Sequence, residues 1–407
     1  MSHPMPPDNS TSDPAPKSQS RREFLLWAGR LGGFAAVGAL GILTWREVSN
    51  GVFATGQGPA YEAWQDWNSP GGSNLELVEA AVLAANAHDS QPWLFELGAS
   101  TVDLYANSSH NLGAIDPLLR EMYVSLGCAL ENLMLAAPAN GLTPSLTLMP
   151  DPADQSHVAH IDLSVGQTII SPLYSEIPKR HTNRYPYDTS RPVTSQTLSA
   201  MTALIDVPEV NVVWLTSAAD MKSFADLTIM ATEAFIADPQ QVATDFSWYR
   251  QDWSQLQTLK DGITPDAAGL PPITDTLSKI VTISAAQDEQ AWLSQTENVA
   301  LATAAAYGVL NISDAQDSSQ ELEAGRIYER MHLWATMNGL AMQPLNATLE
   351  RRDREQSAGL APVITQGLAG LLPDTYLQAV MPFRIGYPTQ EAPLSPRIPA
   401  EQVLKQG

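Results

Sequence analysis

Two arginines and a threonine at alternate positions form the first candidate for a binding site in this sequence. They are Arg180, Thr182 and Arg184, within a segment that runs from Pro178 to Pro186. In an extended chain alternate side chains share a face, so two guanidinium groups and a hydroxyl point the same way. Such donors form charge-assisted hydrogen bonds with phosphate oxygens. The pattern predicts a phosphate clamp, and a solvated loop is the alternative interpretation.

A second candidate lies in residues 85–93, which read Ala-Asn-Ala-His-Asp-Ser-Gln-Pro-Trp. This motif follows a predicted apolar helix over residues 77–84. Pro92 biases Gln91 toward an extended backbone, which would fix the Gln91 amide toward the edge of a ligand. Hydrogen-bonding groups of this kind suit a flat heteroaromatic ring. The alternative is a loop that ends the helix, with Trp93 as a core residue at the start of a strand.

The composition makes the arginine pair stand out. The chain has a net charge of −22, which disfavours binding to nucleic acids and anionic lipids. Cys128 is the only cysteine, so an intrachain disulfide is excluded, and its apolar surroundings predict a core position. His157 and His160 lie three apart with no carboxylate or cysteine cluster beside them in the sequence. We interpret them as ordinary surface histidines and predict no metal site.

The N-terminus has the pattern of an export signal. The segment 1–19 is rich in Pro, Ser and Asp and is predicted to be disordered. Ser20-Arg21-Arg22-Glu23-Phe24-Leu25 then precedes a weakly apolar run, as in twin-arginine signals. We expect the twin-arginine translocase to export the folded chain to the periplasm. If the signal is not cleaved near Val52–Ala54, it would anchor the chain at the outer face of the cytoplasmic membrane.

The helices that must position the two motifs occur as a repeat. An apolar helix containing Gly127 and Glu131 has the same spacing as a later one containing Gly325 and Glu329, and 325 − 127 gives an offset of 198. A repeat of this size indicates a duplicated domain. We therefore predict a disordered and signal segment over 1–54, a first half over 55–170 and a second half over 171–407. An aromatic insertion, 238–297, is predicted to be a lid, and the alternative is a domain-packing excursion.

Taken together, these motifs resemble the nitroreductase family of FMN-dependent oxidoreductases. Arg180, Thr182 and Arg184 match the family's Arg-x-Ser-x-Arg pattern with Thr in place of Ser, and residues 90–93 match its Ser-Gln-Pro-Trp. Gly386-Tyr387-Pro388 and the later Arg397 match the family's C-terminal pattern. The resemblance covers about residues 74–405 and implies an α+β, nitroreductase-like fold whose two tandem halves form an intramolecular pseudo-dimer.

The resemblance also implies one FMN site between the halves, with the mirror-related site degenerate. One half would supply the clamp and the other the Gln-Pro-Trp loop. Asp89 stands where the family has Asn, and its charge is predicted to lower the flavin reduction potential if it approaches the ring. The implied cofactor-binding residues are Arg180, His181, Thr182, Arg184, Asn86, Asp89, Ser90, Gln91 and Arg397.

The implied activity is an oxidoreductase that takes hydride or electrons onto FMN and passes them to a nitroaromatic or quinone-like acceptor. No acid or base side chain is nominated from the sequence. The alternative is an FMN-sequestering protein whose lid covers the flavin and prevents turnover with NAD(P)H. A cofactor-free interaction module is disfavoured because both motifs are retained.

Overall fold

The computed structural model describes residues 51, 54–68, 73–269, 279, 283–372, 374–375 and 377–405. The predicted disordered segment, the twin-arginine motif, Val52 and Phe53 lie outside these residues. The first half contains α1 (Ala63–Asp66), α2 (Leu75–Ala81), β1 (Trp93–Leu97), β2 (Thr101–Ala106), α3 (Arg120–Ala139), β3 (Leu142–Leu148) and β4 (His157–Val165).

The second half repeats this order and adds helices. It contains α4 (Ser195–Thr202), β5 (Val210–Leu215), α5 (Ala218–Ile236), α6 (Pro239–Ser247), α7 (Trp253–Leu259), α8 (Ala285–Gln295), β6 (Ala306–Ile312), α9 (Ser318–Met337), β7 (Ala341–Pro344), α10 (Ala347–Ala358), α11 (Val363–Leu371) and β8 (Ala379–Gly386). The helices α6, α7 and α8 belong to the insertion predicted over 238–297.

The two sheets have the same topology. Each is a four-stranded antiparallel sheet, with strand orders β1-β2-β4-β3 and β5-β6-β8-β7. The central helices keep the offset found in the sequence, because 318 − 120 and 337 − 139 are both 198. Each ends at an asparagine followed by a glycine with positive φ, 74° at Gly141 and 69° at Gly339. The α+β class and the duplication into two related halves are confirmed.

The central helices α3 and α9 cross at the two repeated glycines. A Cβ atom added to Gly127 would lie 2.0 Å from the Leu322 carbonyl oxygen, and one added to Gly325 would lie 2.1 Å from the Val124 carbonyl oxygen. These contacts are reciprocal, since Leu322 is the repeat equivalent of Val124. The pseudo-twofold axis therefore passes through this crossing, where only glycine permits backbone-to-backbone contact.

The outer faces of the two sheets differ. A second apolar cluster, which includes Phe224 of α5, Leu349 of α10 and Leu368 of α11, covers the outer face of the second sheet. Consistent with this cover, β6 and β8 are buried along their whole length. In the first sheet, β3 alternates between half-buried and exposed residues, so the outer face of that sheet meets solvent.

The chain segment that follows β8 crosses from the second half to the first. After β8 the chain returns to the first half, where Leu404 forms a parallel bridge with Phe95 of β1 and Lys405 N donates to the Phe95 carbonyl at 2.7 Å. Arg397 N likewise donates to the Ala60 carbonyl at 2.8 Å. This return places the second half's C-terminal segment beside the first half's motif loop.

Among the described residues, α3 alone is long and apolar enough to cross a membrane by length and composition, with a mean hydropathy of 1.2. However, 78% of its most apolar window is buried inside the fold. The core helix of a soluble protein passes the same test, so this property is weak evidence for a membrane span.

Candidate functional site

A cavity of about 530 Å³ lies between the halves, and we call it the large chamber. Its volume falls within the range of roughly 300–1,000 Å³ that is typical of small-molecule sites. The first half contributes the loop that starts at Ala85 and the inner face of α3, including Ser125 and Cys128. The second half contributes residues of α5, α9 and α10, among them Thr228 and Tyr328. Cys128 is buried, as predicted.

Arg180, Arg184 and Arg397 line an adjoining small chamber of about 30 Å³. It shares Ala85, Asn86, Thr182 and Arg184 with the wall of the large chamber. Its other lining residues are Asp89, Arg180, His181, Ala267, Pro393, Ser395 and Arg397. The structure thus brings Arg180, Thr182 and Arg184 together with Arg397, which lies close to the other end of the second half in the sequence. His181 also lines this chamber, although strict alternation would have placed it on the opposite face.

Arg180 is held in place by buried partners. Its Nε lies 2.8 Å from Oε1 of Glu329, and its Nη2 donates to the Leu83 carbonyl at 2.8 Å. The angle at Arg180 Nε is unsuitable for a hydrogen bond with that oxygen, so the contact is an ion pair without an aligned N–H. Burial raises the pKa of Glu329, although Arg180 beside it acts in the opposite direction.

The charges around the small chamber leave a positive surplus. Three guanidinium groups, Arg180, Arg184 and Arg397, face two carboxylates, Asp89 and Glu329. Burial, together with Arg180 and Arg397, lowers the pKa of His181 to about 3, so this ring is neutral. Three positive charges minus two negative charges leave one uncompensated positive charge. A site of this kind favours a bound anion.

Arg184 carries that surplus most directly. Its Nη1 donates to the Ala267 carbonyl at 3.1 Å, and no carboxylate lies within ion-pair distance of it in the described part of the chain. Burial lowers the pKa of Arg184, because it removes this cation from solvent. An anion in the adjoining chambers would replace that solvation.

The second predicted motif forms a strained loop. His88, Asp89 and Gln91 all have positive φ, at 53°, 48° and 51°. Each such residue costs on the order of 1–3 kcal/mol, and clusters of them mark functional sites. The extended backbone predicted for Gln91 is wrong, because the Asn86 side chain accepts a hydrogen bond from Gln91 N at 2.8 Å and closes the loop more tightly than the Pro92 bias allows for.

Only part of this motif faces the chambers. Asn86, Ala87 and His88 line the large chamber, and Asn86 and Asp89 line the small one. Ser90 and Gln91 line neither. The Gln91 amide donates to the Lys260 carbonyl at 2.8 Å and accepts from Ile398 N at 2.7 Å. Gln91 therefore positions the loop and the C-terminal segment, and its amide is not directed at a ligand.

Asp89 is paired within the protein. Its Oδ1 lies 2.7 Å from Arg397 Nη1, and its carbonyl accepts from Gly262 N at 3.0 Å. The Asp89 carboxylate, whose charge was predicted to lower the flavin potential, is thus compensated by Arg397 in this arrangement. Contact with Arg397 also explains how the charge of an aspartate is accommodated at this half-buried position.

The described part of the 238–297 insertion packs over both motifs. Asp245 Oδ1 lies 2.8 Å from His88 Nε2, and Gln295 Nε2 donates to the Arg184 carbonyl at 2.7 Å. Tyr249, Ile263 and Trp292 line the large chamber from this side. The Pro271-Pro272 break lies outside the described residues. The described part therefore forms one wall of the cavity.

A group of acidic side chains in the large chamber was missed from the sequence. Glu121, Asp245, Asp288 and Glu350 all line it. Burial raises the pKa of Asp288 to about 7 and that of Glu350 well above its usual range, where a hydrogen bond with Glu121 adds to the effect. Such groups hold protons near neutral pH. No spacing in the sequence links these residues, because they lie on α3, the insertion and α10.

On the other side of the pseudo-twofold axis, the equivalent carboxylate is held in ion pairs. Glu131 is the repeat equivalent of Glu329, and it pairs with Arg330 at 2.7 Å and with Arg326 at 3.2 Å. Arg330 also reaches Asp206 at 2.8 Å. Glu131 lines neither chamber.

The charge and the hydrogen-bonding groups around the chambers suit a ligand that carries a phosphate, as FMN does. The positive surplus suits a phosphate. Tyr328 lines the large chamber, and its buried hydroxyl has no hydrogen-bond partner among the described residues. The small chamber, at about 30 Å³, has space for about one water molecule. A phosphate therefore requires the Asp89–Arg397 pair or its surroundings to open.

Sequence comparisons find related proteins in Mycobacterium tuberculosis. A "Putative NAD(P)H nitroreductase" is 30% identical over 113 residues, which are 27% of this chain and 33% of that protein. A second protein of that description, acg, is 30% identical over 139 residues, 32% of this chain and 42% of its own length. An "Uncharacterized protein" is 23% identical over 349 residues, 81% of this chain and 92% of that protein. No protein-family model matches the chain.

Comparisons with solved structures find nitroreductases at low scores. A nitroreductase with bound FMN from Desulfitobacterium hafniense is 12% identical, with a TM-score of 0.35 and coverage of 59% of this chain and 100% of that one. The FMN- and NADPH-dependent nitroreductase NfnB from a Sphingopyxis strain is 15% identical, with a TM-score of 0.36 and coverage of 58% and 98%. The likeness to nitroreductases therefore rests on the sequence matches. The chain spans less than half of the length of each named nitroreductase relative, 33% of one and 42% of the other.

Proposed function

We propose that this chain binds one FMN between its halves and acts as a nitroreductase-type oxidoreductase. The observation that carries the proposal is the convergence of Arg180, Thr182 and Arg184 with Arg397 and the loop at Asn86, in a chamber that adjoins the cavity between the halves. Bound FMN would supply the redox chemistry by accepting electrons and passing them to a nitroaromatic or quinone-like acceptor. The relatives named as nitroreductases favour the same reading.

The protein's own groups divide the work in this proposal. The arginines hold the phosphate through their uncompensated charge, and Thr182 offers a hydroxyl at the boundary of the two chambers. The acidic residues of the large chamber, Asp288 and Glu350, keep protons near neutral pH because burial raises their pKa. Reduction of a quinone or nitro group consumes protons, so carboxyl groups in this wall are suited to supply them.

The insertion favours a second candidate function, FMN sequestration. It is joined to the Gln91 loop by the His88–Asp245 pair and by the hydrogen bond from Gln91 to Lys260, and to the clamp through Ala267. An insertion that is hydrogen-bonded to both motifs restricts access to the flavin by a large electron donor such as NAD(P)H. In this case the protein holds the flavin without NAD(P)H-dependent turnover.

We also propose that the chain is exported by the twin-arginine route, with the translocase as a partner. The support is the Ser-Arg-Arg-Glu-Phe-Leu sequence at residues 20–25 and the apolar run after it. This route carries folded proteins, which suits a chain whose cofactor lies between two halves. The periplasm, or the outer face of the cytoplasmic membrane if the signal is retained, is the proposed location.

The test begins with the visible spectrum of the purified chain, followed by anaerobic addition of NADH, NADPH and then dithionite. A flavin spectrum that bleaches with a nicotinamide cofactor supports the reductase. A spectrum that bleaches only with dithionite favours sequestration or another donor. If the chain shows no flavin even after incubation with FMN, the proposal is wrong.

A pair of arginine variants tests the clamp. Arg184→Met removes a guanidinium that has no carboxylate partner in the described structure, so we expect FMN affinity to fall by about tenfold to a hundredfold, the value of one charge-assisted contact. Arg191→Met is the matched control, because Arg191 lies outside both chambers and stacks over the Tyr387 ring at 3.6 Å. Equal FMN affinity in the two variants, measured by fluorescence titration, would contradict the clamp.

A further inference from the structure

A cluster of two histidines and an aspartate lies on the solvent-facing side of the first sheet. It consists of Asp103 on β2 with His157 and His160 on β4, and none of the three lines the large or the small chamber. We propose that Asp103, His157 and His160 form a binding site for a divalent transition-metal ion of the zinc class. This proposal does not depend on flavin binding.

A β-bulge creates the cluster. Residues three apart on a regular strand point to opposite faces of a sheet, so His157 and His160 should not meet. In this sheet Leu104 is paired with Ala159, but Tyr105 is paired with His157, so Val158 is an extra residue on β4. Val158 and Ala159 are accordingly both buried. The bulge returns His157 to the face that carries His160, and bulges often re-aim side chains beside functional sites.

The third ligand comes from the neighbouring strand. Asp103 lies directly opposite His160 in the β2–β4 pairing. Its Oδ1 is 2.8 Å from His157 Nε2 and 2.6 Å from His160 Nδ1. Two imidazole nitrogens from different positions thus converge on one carboxylate oxygen. All three candidate ligand atoms lie within 4.8 Å of one another.

The surroundings hold these rings in orientation. His157 is stacked on Tyr105, with the ring centroids 4.5 Å apart and an interplanar angle of 19°. The other nitrogen of His160, Nε2, lies 3.5 Å from Asp162 Oδ1. A carboxylate behind a metal-bound histidine fixes its tautomer and orientation in many metal sites. The side chains of Asp103 and His157 are 15% and 17% exposed, so an ion can enter from solvent.

The ligand set selects the class of ion. Two imidazole nitrogens and one carboxylate oxygen suit Zn²⁺, Cu²⁺ or Ni²⁺, whereas Mg²⁺ and Ca²⁺ prefer oxygen ligands alone. Zinc–nitrogen and zinc–oxygen bonds of about 2.0–2.2 Å place tetrahedral ligand atoms roughly 3.3 Å apart. The present contacts of 2.6 and 2.8 Å therefore need to open by roughly 0.7 and 0.5 Å. Three protein ligands leave at least one position for water.

Metal binding would cross-link β2 to β4 at the bulge. The ion would be held by both strands in the folded sheet and by no preformed site in the unfolded chain, so binding would stabilise the fold. A metal-dependent increase in Tm is therefore expected in addition to direct binding. Neither readout involves flavin or an electron acceptor.

The experiment is a calorimetric titration of the full chain, without a histidine tag, with Zn²⁺, together with the visible spectrum of the Co²⁺-loaded chain. We expect one Zn²⁺ per chain, an increase in Tm, and a Co²⁺ spectrum typical of four or five ligands. His157→Gln and His160→Gln should each weaken binding by a factor of a hundred or more. Asp162→Asn should weaken it by about tenfold to a hundredfold, as loss of an outer carboxylate does.

Asp188→Asn is the matched control, because Asp188 is an aspartate of the second half whose carboxylate accepts hydrogen bonds from Ser190 in its own turn. It should bind Zn²⁺ like the unmodified chain. Absence of saturable binding to the unmodified chain would overturn the proposal, even if the variants fail to fold. Binding that survives in folded His157→Gln and His160→Gln would overturn it as well, because the ion would then be held elsewhere.

Discussion

The crossing of α3 and α9 offers a substitution whose outcome is decided by two opposing effects. Alanine in place of Gly127 favours the helix by about 0.5–1 kcal/mol. However, the added Cβ would lie 2.0 Å from the Leu322 carbonyl oxygen. Such contacts are essentially never shorter than 3.0 Å, so the two backbones must separate by at least 1.0 Å, the difference between these distances. Overpacking of this kind costs about 1–3 kcal/mol, occasionally more, so we expect a net loss.

The prediction is measured as the free energy of unfolding in urea, with circular dichroism as the probe. Gly127→Ala and Gly325→Ala should each lower it by about 1–2 kcal/mol, because the contacts are reciprocal. The double variant should lose less than the sum, since the first alanine already separates the helices.

Gly370→Ala is the control for the crossing variants, because a Cβ atom at Gly370 of α11 meets nothing within 4 Å. It should be neutral or stabilising by up to about 1 kcal/mol. If Gly127→Ala is as stable as the unmodified chain, or if the two losses add fully, the close crossing at the pseudo-twofold axis is refuted.

Three further predictions concern the insertion and the N-terminus. Burial, with Asp245 and Asp288 nearby, raises the pKa of Glu289 from 4.5 to about 8. Between these two pH values the folded state keeps a proton that the unfolded state has lost, so the free energy of unfolding falls as the pH rises. Glu289→Gln should then raise the free energy of unfolding by at least about 1 kcal/mol at pH 8 and leave it unchanged near pH 4. Equal effects at the two pH values would count against the raised pKa of Glu289. Asp245→Asn breaks the pair with His88 at 2.8 Å. If the insertion restricts access to the flavin, reduction by NADPH, measured by stopped-flow absorbance, should become several-fold faster. An unchanged rate argues against restricted access. Replacement of Arg21 and Arg22 by Lys should retain the chain in the cytoplasm in a fractionation assay, and continued export would remove the twin-arginine proposal.

The duplication was predictable from the sequence because the crossing imposes the same requirement on both copies. Only glycine fits at Gly127 and Gly325, and the asparagine and glycine that end each helix are needed at the same distance from it. Local requirements of this kind leave identical residues at a constant offset. The α+β class followed from the family resemblance, and both sheets agree with it.

The features that escaped prediction depend on contacts between distant segments. A proline favours an extended backbone in the preceding residue of an average chain. Here the Asn86 side chain accepts a hydrogen bond from Gln91 N, and Gln91 has a φ of 51°. The Asp103 cluster needs the pairing of β2 with β4 and a bulge between them, neither of which leaves a local signal. The sequence interpretation of His157 and His160 missed the carboxylate that they share, because Asp103 lies on another strand with α3 and β3 between them in the chain.

The restriction of the proposed site to one side of the pseudo-dimer can be traced to two positions of the repeat. With the offset of 198, Cys128 of α3 corresponds to Arg326 of α9, and Asn132 corresponds to Arg330. Beside Glu329, the first helix thus presents a thiol and an amide. Asn132 bonds to the Ala80 carbonyl at 3.2 Å, and Cys128 forms part of the large chamber's wall. Arg180 from the motif segment is then the cation that pairs with Glu329.

Beside Glu131 the equivalent positions of α9 carry Arg326 and Arg330. Both arginines pair with the Glu131 carboxylate and neutralise it. Arg330 also donates to the Leu204 carbonyl at 3.0 Å, just as Arg180 donates to the Leu83 carbonyl at 2.8 Å on the other side. The connection from α4 to β5, 203–209, is correspondingly shorter than the connection from α2 to β1, 82–92. The longer connection forms the strained loop at Asn86. One copy therefore uses its central carboxylate in a closed ion-pair network, and the other uses it to hold an arginine at the edge of a chamber.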